Sequence, residues 1–223
     1  ASRSRHRLCS HLTPRGRGSS GMIDYILQQG RRDYWPHLDL VAPIHHAYAE
    51  RHGCEYVVIR NAWPVCDWGG WDKLPLLIEL TGRADTGWVF WLDADTLAVG
   101  DADPRAVMGD CLVGMARHKG HATSTTLNCG VLFMRACPQT HDWLTEVLTR
   151  QPGIPPWYEQ DIMNELLEAP GWEDKVCELP HIWNSTVCLG HPQECEIRAW
   201  HGSGGPPEQR LAPMQAEIER RGL

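Results

Sequence analysis

Apolar positions change period several times along this chain, and each change predicts an element. Ile23-Asp24-Tyr25-Ile26-Leu27 reads as a first strand, ending near Gln28-Gln29-Gly30. Leu40, Ile44, Ala47 and Tyr48 then recur at helical spacing. Pro43 either kinks that helix or opens its main segment, and Gly53 stops it. Glu55 to Ile59 is a second strand, followed over residues 60–71 by a loop with Trp, Pro and Gly. Asp72 is a candidate N-cap, Pro75 is tolerated in the first turn, and Leu74, Leu77 and Ile78 form an apolar helix face up to Gly82. Trp88 to Leu92 is apolar on both faces, which predicts a buried, central, parallel strand.

Further strands are expected at Cys111 to Met115, Gly130 to Met134 and Val176 to Leu179. Helices are expected at about 139–150 and 158–168, with apolar sets Trp143, Leu144, Val147, Leu148 and Ile162, Met163, Leu166, Leu167. After Trp183 the pattern turns loop-like, and a short helix is expected near 208–221. Strand, helix, strand, helix, strand within so short a span means βαβ units. The fold class is therefore α/β, with a mainly parallel, Rossmann-like central sheet flanked by helices in one domain. The expected boundaries are a disordered basic leader over 1–21, the domain over 22–205 and a helical tail over 206–223.

Composition narrows the function. A chain of 223 residues suits one domain with its own core. The formal net charge of −7 argues against a general nucleic-acid binder, which needs a basic footprint. Residues 1–21 carry five Arg and no acid among Ser and Gly, too little apolar content to pack, and Met22 after them is a candidate natural start. The sequence contains no apolar window long enough for a membrane span and no secretory h-region. Nine Cys with no C-x-x-C or zinc spacing favour reduced thiols, Cys111 and Cys129 as buried ones, although Cys188 and Cys195 could pair across a loop. Of eleven Trp, Trp88 and Trp91 read as core, and Trp63, Trp68 and Trp71 as candidates for a binding rim.

The strand Trp88 to Leu92 runs into Asp93-Ala94-Asp95 at the end where open α/β sheets bind ligands. Two partly desolvated carboxylates repel and need a counter-charge, which a divalent cation shared with substrate phosphates supplies. The same pair also reads as turn or cap residues. His201, in Trp200-His201-Gly202-Ser203-Gly204-Gly205, is either a further ligand or a solvated loop residue, and consecutive glycines let backbone N–H groups approach a diphosphate. Asn128-Cys129-Gly130, ahead of Val131 to Met134, offers a donor and an acceptor for hydroxyls or is an ordinary turn. Tyr158-Glu159-Gln160-Asp161 opens a helix where acids also suit the macrodipole. Lys73 sits at a helix N-terminus, an unfavourable place for a cation, and so points to an anionic partner.

Six segments follow in order: Trp71-Asp72-Lys73-Leu74-Pro75-Leu76, Trp91-Leu92-Asp93-Ala94-Asp95, Leu127 to Arg135, Glu159-Gln160-Asp161, Trp183-Asn184 and Trp200-His201-Gly202. Over about residues 23–205 this order resembles the retaining nucleotide-sugar glycosyltransferases of the Golgi galactosyl-/mannosyltransferase and xyloglucan xylosyltransferase family. The resemblance implies a GT-A fold, a UDP- or GDP-sugar donor, and Mn²⁺ (or Mg²⁺) held by Asp93, Asp95 and His201 with the donor diphosphate. It places Lys73 near the nucleotide, Gly202 in the glycine loop at the diphosphate, and Asn128 and Gly130 facing donor sugar and acceptor. Gln160 and Asp161 fall beside the anomeric carbon as catalytic residues. The implied product keeps the donor's configuration, by same-face displacement in which the leaving phosphate takes the proton of a glycan, protein or small-molecule hydroxyl.

Two departures stand out. The family often has a Lys shortly after the His, whereas Ser203, Gly204, Gly205 and Pro206 stand here, leaving Arg198 or the glycine backbone to neutralise the diphosphate. Eukaryotic members carry a membrane anchor and stem. This sequence shows none, so the expected setting is the cytoplasm for a full chain and the Golgi lumen for a fragment. Two other readings compete. A non-catalytic sugar-binding module accounts for the Trp content but not for the ordered polar motifs. A phosphatase of the haloacid-dehalogenase class also ends a strand in D-x-D, but on its first strand and with Thr two residues after the second Asp. Here Thr96 follows directly and two strands come before.

Overall fold

The computed structural model describes residues 21–60, 64–67, 69–118, 126–150, 159–201 and 206–223. Residues 1–20 of the basic leader, Trp63, Trp68, Tyr158 and the loop Gly202 to Gly205 lie outside the described residues.

The main sheet has six strands: β1 (Ile23–Gly30), β2 (Glu55–Arg60), β3 (Thr86–Leu92), β5 (Val113–His118), β6 (Thr126–Arg135) and β7 (Val176–Leu179), in the order β2-β1-β3-β6-β5-β7. It is mainly parallel, since β1 pairs parallel with β2 and β3, and β5 with β7. The central β3 is not parallel on both edges as its pattern suggested, because β6 runs antiparallel to β3 and to β5. Only residues 119–125 separate β5 from β6. A parallel crossover needs about a dozen residues or more, so those two strands must turn back on each other.

Alternate residues of the central strands feed two cores. Tyr25, Leu27, Val89, Trp91, Leu132 and Met134 meet helices α2 (Leu74–Thr81), α4 (Pro138–Thr149) and α5 (Glu159–Leu167) through Leu74, Leu77, Trp143, Leu144 and Met163. Ile26, Phe90, Leu92, Val131 and Phe133 face the other way, onto Tyr48 and Ala49 of α1 (Trp35–Arg51) and onto Trp183. Burial on both faces is what a near-continuous apolar strand requires. Helix α1 starts earlier than its apolar spacing indicated, with Pro36 in its first turn, and runs through Pro43. Gly53, at φ 67°, ends it in a conformation that glycine adopts without penalty.

Several local expectations are corrected. Asp72 does not cap α2. The first turn is preceded by a 3₁₀ turn over Gly69–Lys73, and the buried Asp72 carboxylate accepts from Arg31 Nε at 2.6 Å and from the Val65 N–H at 2.8 Å. Trp71 is a core residue at 1% exposure, not part of a binding rim. Cys111 lies in a turn after the short α3 (Arg105–Met108), and β5 begins at Val113. Asn128-Cys129-Gly130 does not precede a strand but lies inside β6, where pairing with β5 outweighs the turn-forming residues. The eight described cysteines, Cys188 and Cys195 included, are free thiols.

A second, three-stranded sheet has no counterpart in the apolar pattern: β4 (Thr96–Ala98), β8 (Ser185–Thr186) and β9 (Ile197–Ala199), in the order β4-β9-β8. The closing helix α6 (Glu208–Arg221) covers it, with Met214 and Ile218 packed against Val41, Leu97 and Trp200. Among the described residues, no helix is long and apolar enough to cross a membrane.

Candidate active site

The small sheet assembles the site. β4 starts directly after Asp95, and β9 ends two residues before His201. Their antiparallel register sets Thr96 opposite Ala199, and the Trp200 N–H donates to the Asp95 carbonyl at 3.0 Å. Asp93 is delivered by the end of β3, where its N–H donates to the Gly130 carbonyl at 2.8 Å and its own carbonyl accepts the Thr96 hydroxyl at 2.7 Å. One ligand atom from each of Asp93, Asp95 and His201 then lies within 4.8 Å of the others.

The three residues fit a divalent cation. His201 Nδ1 is buried and makes no hydrogen bond among the described residues, and it stands 4.0 Å from Asp95 Oδ1. Burial pushes the His201 pKa down to about 4, so the ring is neutral and has a lone pair to offer. Burial pushes both carboxyls up, with Lys73 opposing this at Asp93 and Arg210 at Asp95. Acids held in that state gain most from a cation placed between them. Gly130 keeps the space open. A β-carbon there would lie 3.0 Å from Asp93 Oδ2 and 3.0 Å from His201 Cε1.

Lys73 finds its anionic partners inside the protein. Its buried Nζ lies 2.9 Å from Glu159 Oε1 and 3.8 Å from Asp93 Oδ1, and donates to the Cys129 carbonyl at 3.4 Å. Burial works against the ammonium, yet Cys129, Glu159 and Asp93 raise its pKa above the usual lysine range. Burial likewise works against the Glu159 carboxylate, which the Lys73 charge nevertheless holds below its ordinary value. Lys73 thus ties the first turn of α5 to Asp93.

That turn carries Gln160 and Asp161, both half-buried. Gln160 Oε1 accepts from Asn128 Nδ2 at 3.0 Å and from the Cys129 N–H at 3.1 Å. Asn128 Oδ1 accepts from Asn184 Nδ2 at 2.9 Å and from the Gly130 N–H at 2.9 Å. The structure therefore brings Lys73, Asp93, Asp95, Asn128, Gly130, Gln160 and His201 to one end of the sheet, with Asp161 on the same helical turn as Gln160. Gly202 is outside the described residues.

Arg198 does not face this space. Its buried guanidinium donates to Ser185 Oγ at 2.7 Å and to the Pro192 carbonyl at 2.7 Å, bracing the chain between β8 and β9. The cation at Asp95 is instead Arg210 of α6, which donates to Asp95 Oδ2 at 2.5 Å and to the Tyr34 hydroxyl at 3.1 Å. No spacing or motif in the sequence announces Arg210. The same holds for His118 and Thr186, which flank the His201 ring.

No protein-family profile matches the chain, and no curated protein matches it by sequence. Solved structures match it in three dimensions. A glycosyltransferase involved in the glycosylation of the major capsid of PBCV-1 superposes with a TM-score of 0.71 at 14% identity, covering 87% of this chain and 99% of that one. The galactosyltransferase LgtC, in complex with donor and acceptor sugar analogues, gives 0.54 at 13% identity over 88% and 99% of the two chains. The bifunctional glycosyltransferase WbbM gives 0.58 at 11% identity over 92% of this chain and 52% of that one. Identities this low speak to the fold, which is the GT-A fold that the motif order implied.

Proposed function

We propose that the chain is a metal-dependent glycosyltransferase that moves a hexose or pentose from a nucleotide-diphosphate sugar to a hydroxyl acceptor, with retention of configuration. The observation that carries this reading is the meeting of Asp93, Asp95 and the neutral His201 beside the Gln160–Asn128 pair. The fold shared with glycosyltransferases supports it. Asp93, Asp95 and His201 would hold the cation, and carboxylates combined with an imidazole suit Mn²⁺ better than Mg²⁺. When bound, the metal supplies charge neutralisation for the departing diphosphate.

The remaining roles belong to the chain itself. Gly130 leaves room for the donor against the carboxylates. Asn128 and Asn184 present amides beside that space, and Gln160 is oriented by its two accepted hydrogen bonds. Side-chain oxygens of Gln160 and Asp161 stabilise the positive charge that develops on the anomeric carbon as the bond to phosphate breaks. The acceptor hydroxyl attacks the same face and passes its proton to the leaving phosphate. The acceptor is a glycan, a protein or a small molecule, and the whole protein's setting follows from that choice.

A panel of nucleotide-sugars incubated with Mn²⁺ and scored for nucleotide release tests the reading. Release from one donor that stops with chelator supports it. No release from any donor, together with Mn²⁺-independent nucleotide binding, overturns it. Free sugar binding without release would point to a non-catalytic sugar-binding module.

A further inference from the structure

The two ring nitrogens of His201 stand in different surroundings. Nε2 lies 3.1 Å from Thr186 Oγ1 and 3.5 Å from His118 Nε2. Nδ1 has no acceptor or donor within hydrogen-bond reach among the described residues, and Asp95 Oδ1 at 4.0 Å is too far to serve. An imidazole binds a cation only through a nitrogen that carries no proton. A neutral ring has one proton to place, and the partner of the second nitrogen decides where it goes.

Thr186 is well fixed for that decision. It lies in β8 with its side chain buried, pairs with Ala199 of β9, and donates its N–H to His191 Nδ1 at 3.2 Å. Its hydroxyl is 3.1 Å from His118 Nε2 and 3.4 Å from the Asn184 carbonyl. A hydroxyl has one proton and two acceptor sites. Given to Asn184 or to His118, that proton leaves a lone pair for a proton on His201 Nε2. Given to His201, it would force the His201 proton onto Nδ1, which has no acceptor among the described residues. His118 also stacks on the ring, with centroids 5.1 Å apart and planes 24° from parallel, which resists rotation.

We propose that Thr186, braced by His118, accepts the Nε2–H of His201 and so fixes the tautomer that leaves the lone pair on Nδ1, the nitrogen 4.0 Å from Asp95 Oδ1. Thr186 and His118 are thus positioning residues, acting from β8 and β5 on a group delivered by β9. This rests on the reading of Asp93, Asp95 and His201 as a metal site.

Nitrogen-15 spectra of histidine-labelled, metal-free full chain test the tautomer, with His201→Ala to assign the ring. The expected spectrum has a protonated Nε2 and an unprotonated Nδ1 for His201. Thr186→Val keeps the shape and removes the acceptor. The His201 signals should then move toward a mixture of tautomers, and the Mn²⁺ dissociation constant, read by electron paramagnetic resonance, should rise about tenfold or more. Thr186→Ser should restore both, and His118→Phe should raise the constant less than Thr186→Val. A wild-type His201 protonated on Nδ1 overturns the proposal, whatever Thr186→Val does. Unchanged tautomer and Mn²⁺ affinity in a folded Thr186→Val also overturn it. A wild type that binds no Mn²⁺ yet shows the Nε2–H tautomer, lost in Thr186→Val, would remove the metal reading and leave the hold of Thr186 on the ring in place.

Discussion

Lys73 and Glu159 form a buried ion pair, Nζ to Oε1 at 2.9 Å, between the start of one helix and the start of another. The pair is flanked by Asp93 on one side and by Gln160 on the other. It therefore connects Asp93 at the end of β3 to the first turn of α5, the two parts to which the proposed function gives the cation and the sugar.

Removing one partner of a buried pair leaves the other charge uncompensated, at a cost of about 3–5 kcal/mol. Lys73→Met should lose stability of that order in urea denaturation, and Lys73→Met with Glu159→Gln should regain most of it. The folded pKa of Glu159 is depressed, so its contribution is full above the ordinary Glu range. It disappears as pH falls through the folded value, and the double variant should lack this acid-side loss. A single variant as stable as wild type would show the pair to be energetically idle.

His45 gives a second pH signature. It is fully buried, accepts the Ala98 N–H on Nε2 at 2.9 Å, and burial lowers its pKa to about 3. The unfolded chain binds the extra proton between that value and about 6.5, so stability should climb as pH rises across this window and level off above it. His45→Gln, whose amide oxygen can take the same N–H, should flatten the climb. Identical slopes in the two proteins would place the dependence on other groups.

Asp93→Asn and Asp95→Asn should each weaken Mn²⁺-dependent UDP or GDP binding by about a hundredfold or more, since losing a ligand costs more than losing its outer partner. Calorimetry with and without Mn²⁺ reads this. Metal-dependent binding that survives both changes would remove these carboxylates from the site.

Gln160→Ala and Asp161→Asn should lower kcat about a hundredfold with little change in donor Kd, because a contact stronger in the transition state appears in the rate. Glu159→Gln should act mainly on stability through Lys73. Near-normal kcat in both of the first two would move the catalytic groups off α5.

Long periodic segments were readable because their burial is one-sided or two-sided over many residues, as in β3, α4 and α5. Asp93, Asp95 and His201 stood out because an apolar strand and a small-residue loop framed them, and the fold does bring them together. What escaped was decided across the chain. The small sheet is built from strands of two or three residues, too short to carry a period. Asp72 looked like a cap until Arg31, far upstream, claimed its carboxylate. Trp71 sat in a loop-like stretch that packs into the core. Arg198 was the nearest cation in sequence, yet pairing within its own sheet turned it away, and α6 delivered Arg210 instead.

The ladder between β4 and β9 also sets a moment in the life of the chain. Chains emerge from the ribosome N-terminus first, and domains fold as their parts appear. β1, β2 and β3 can associate early, but Asp95 waits for β9, for His201 and for Arg210 on the last helix. A chain made only as far as β7 owns the whole main sheet and still lacks the arrangement of Asp95, His201 and Arg210. On the proposed reading, the capacity to bind a metal arises only after α6 has been made.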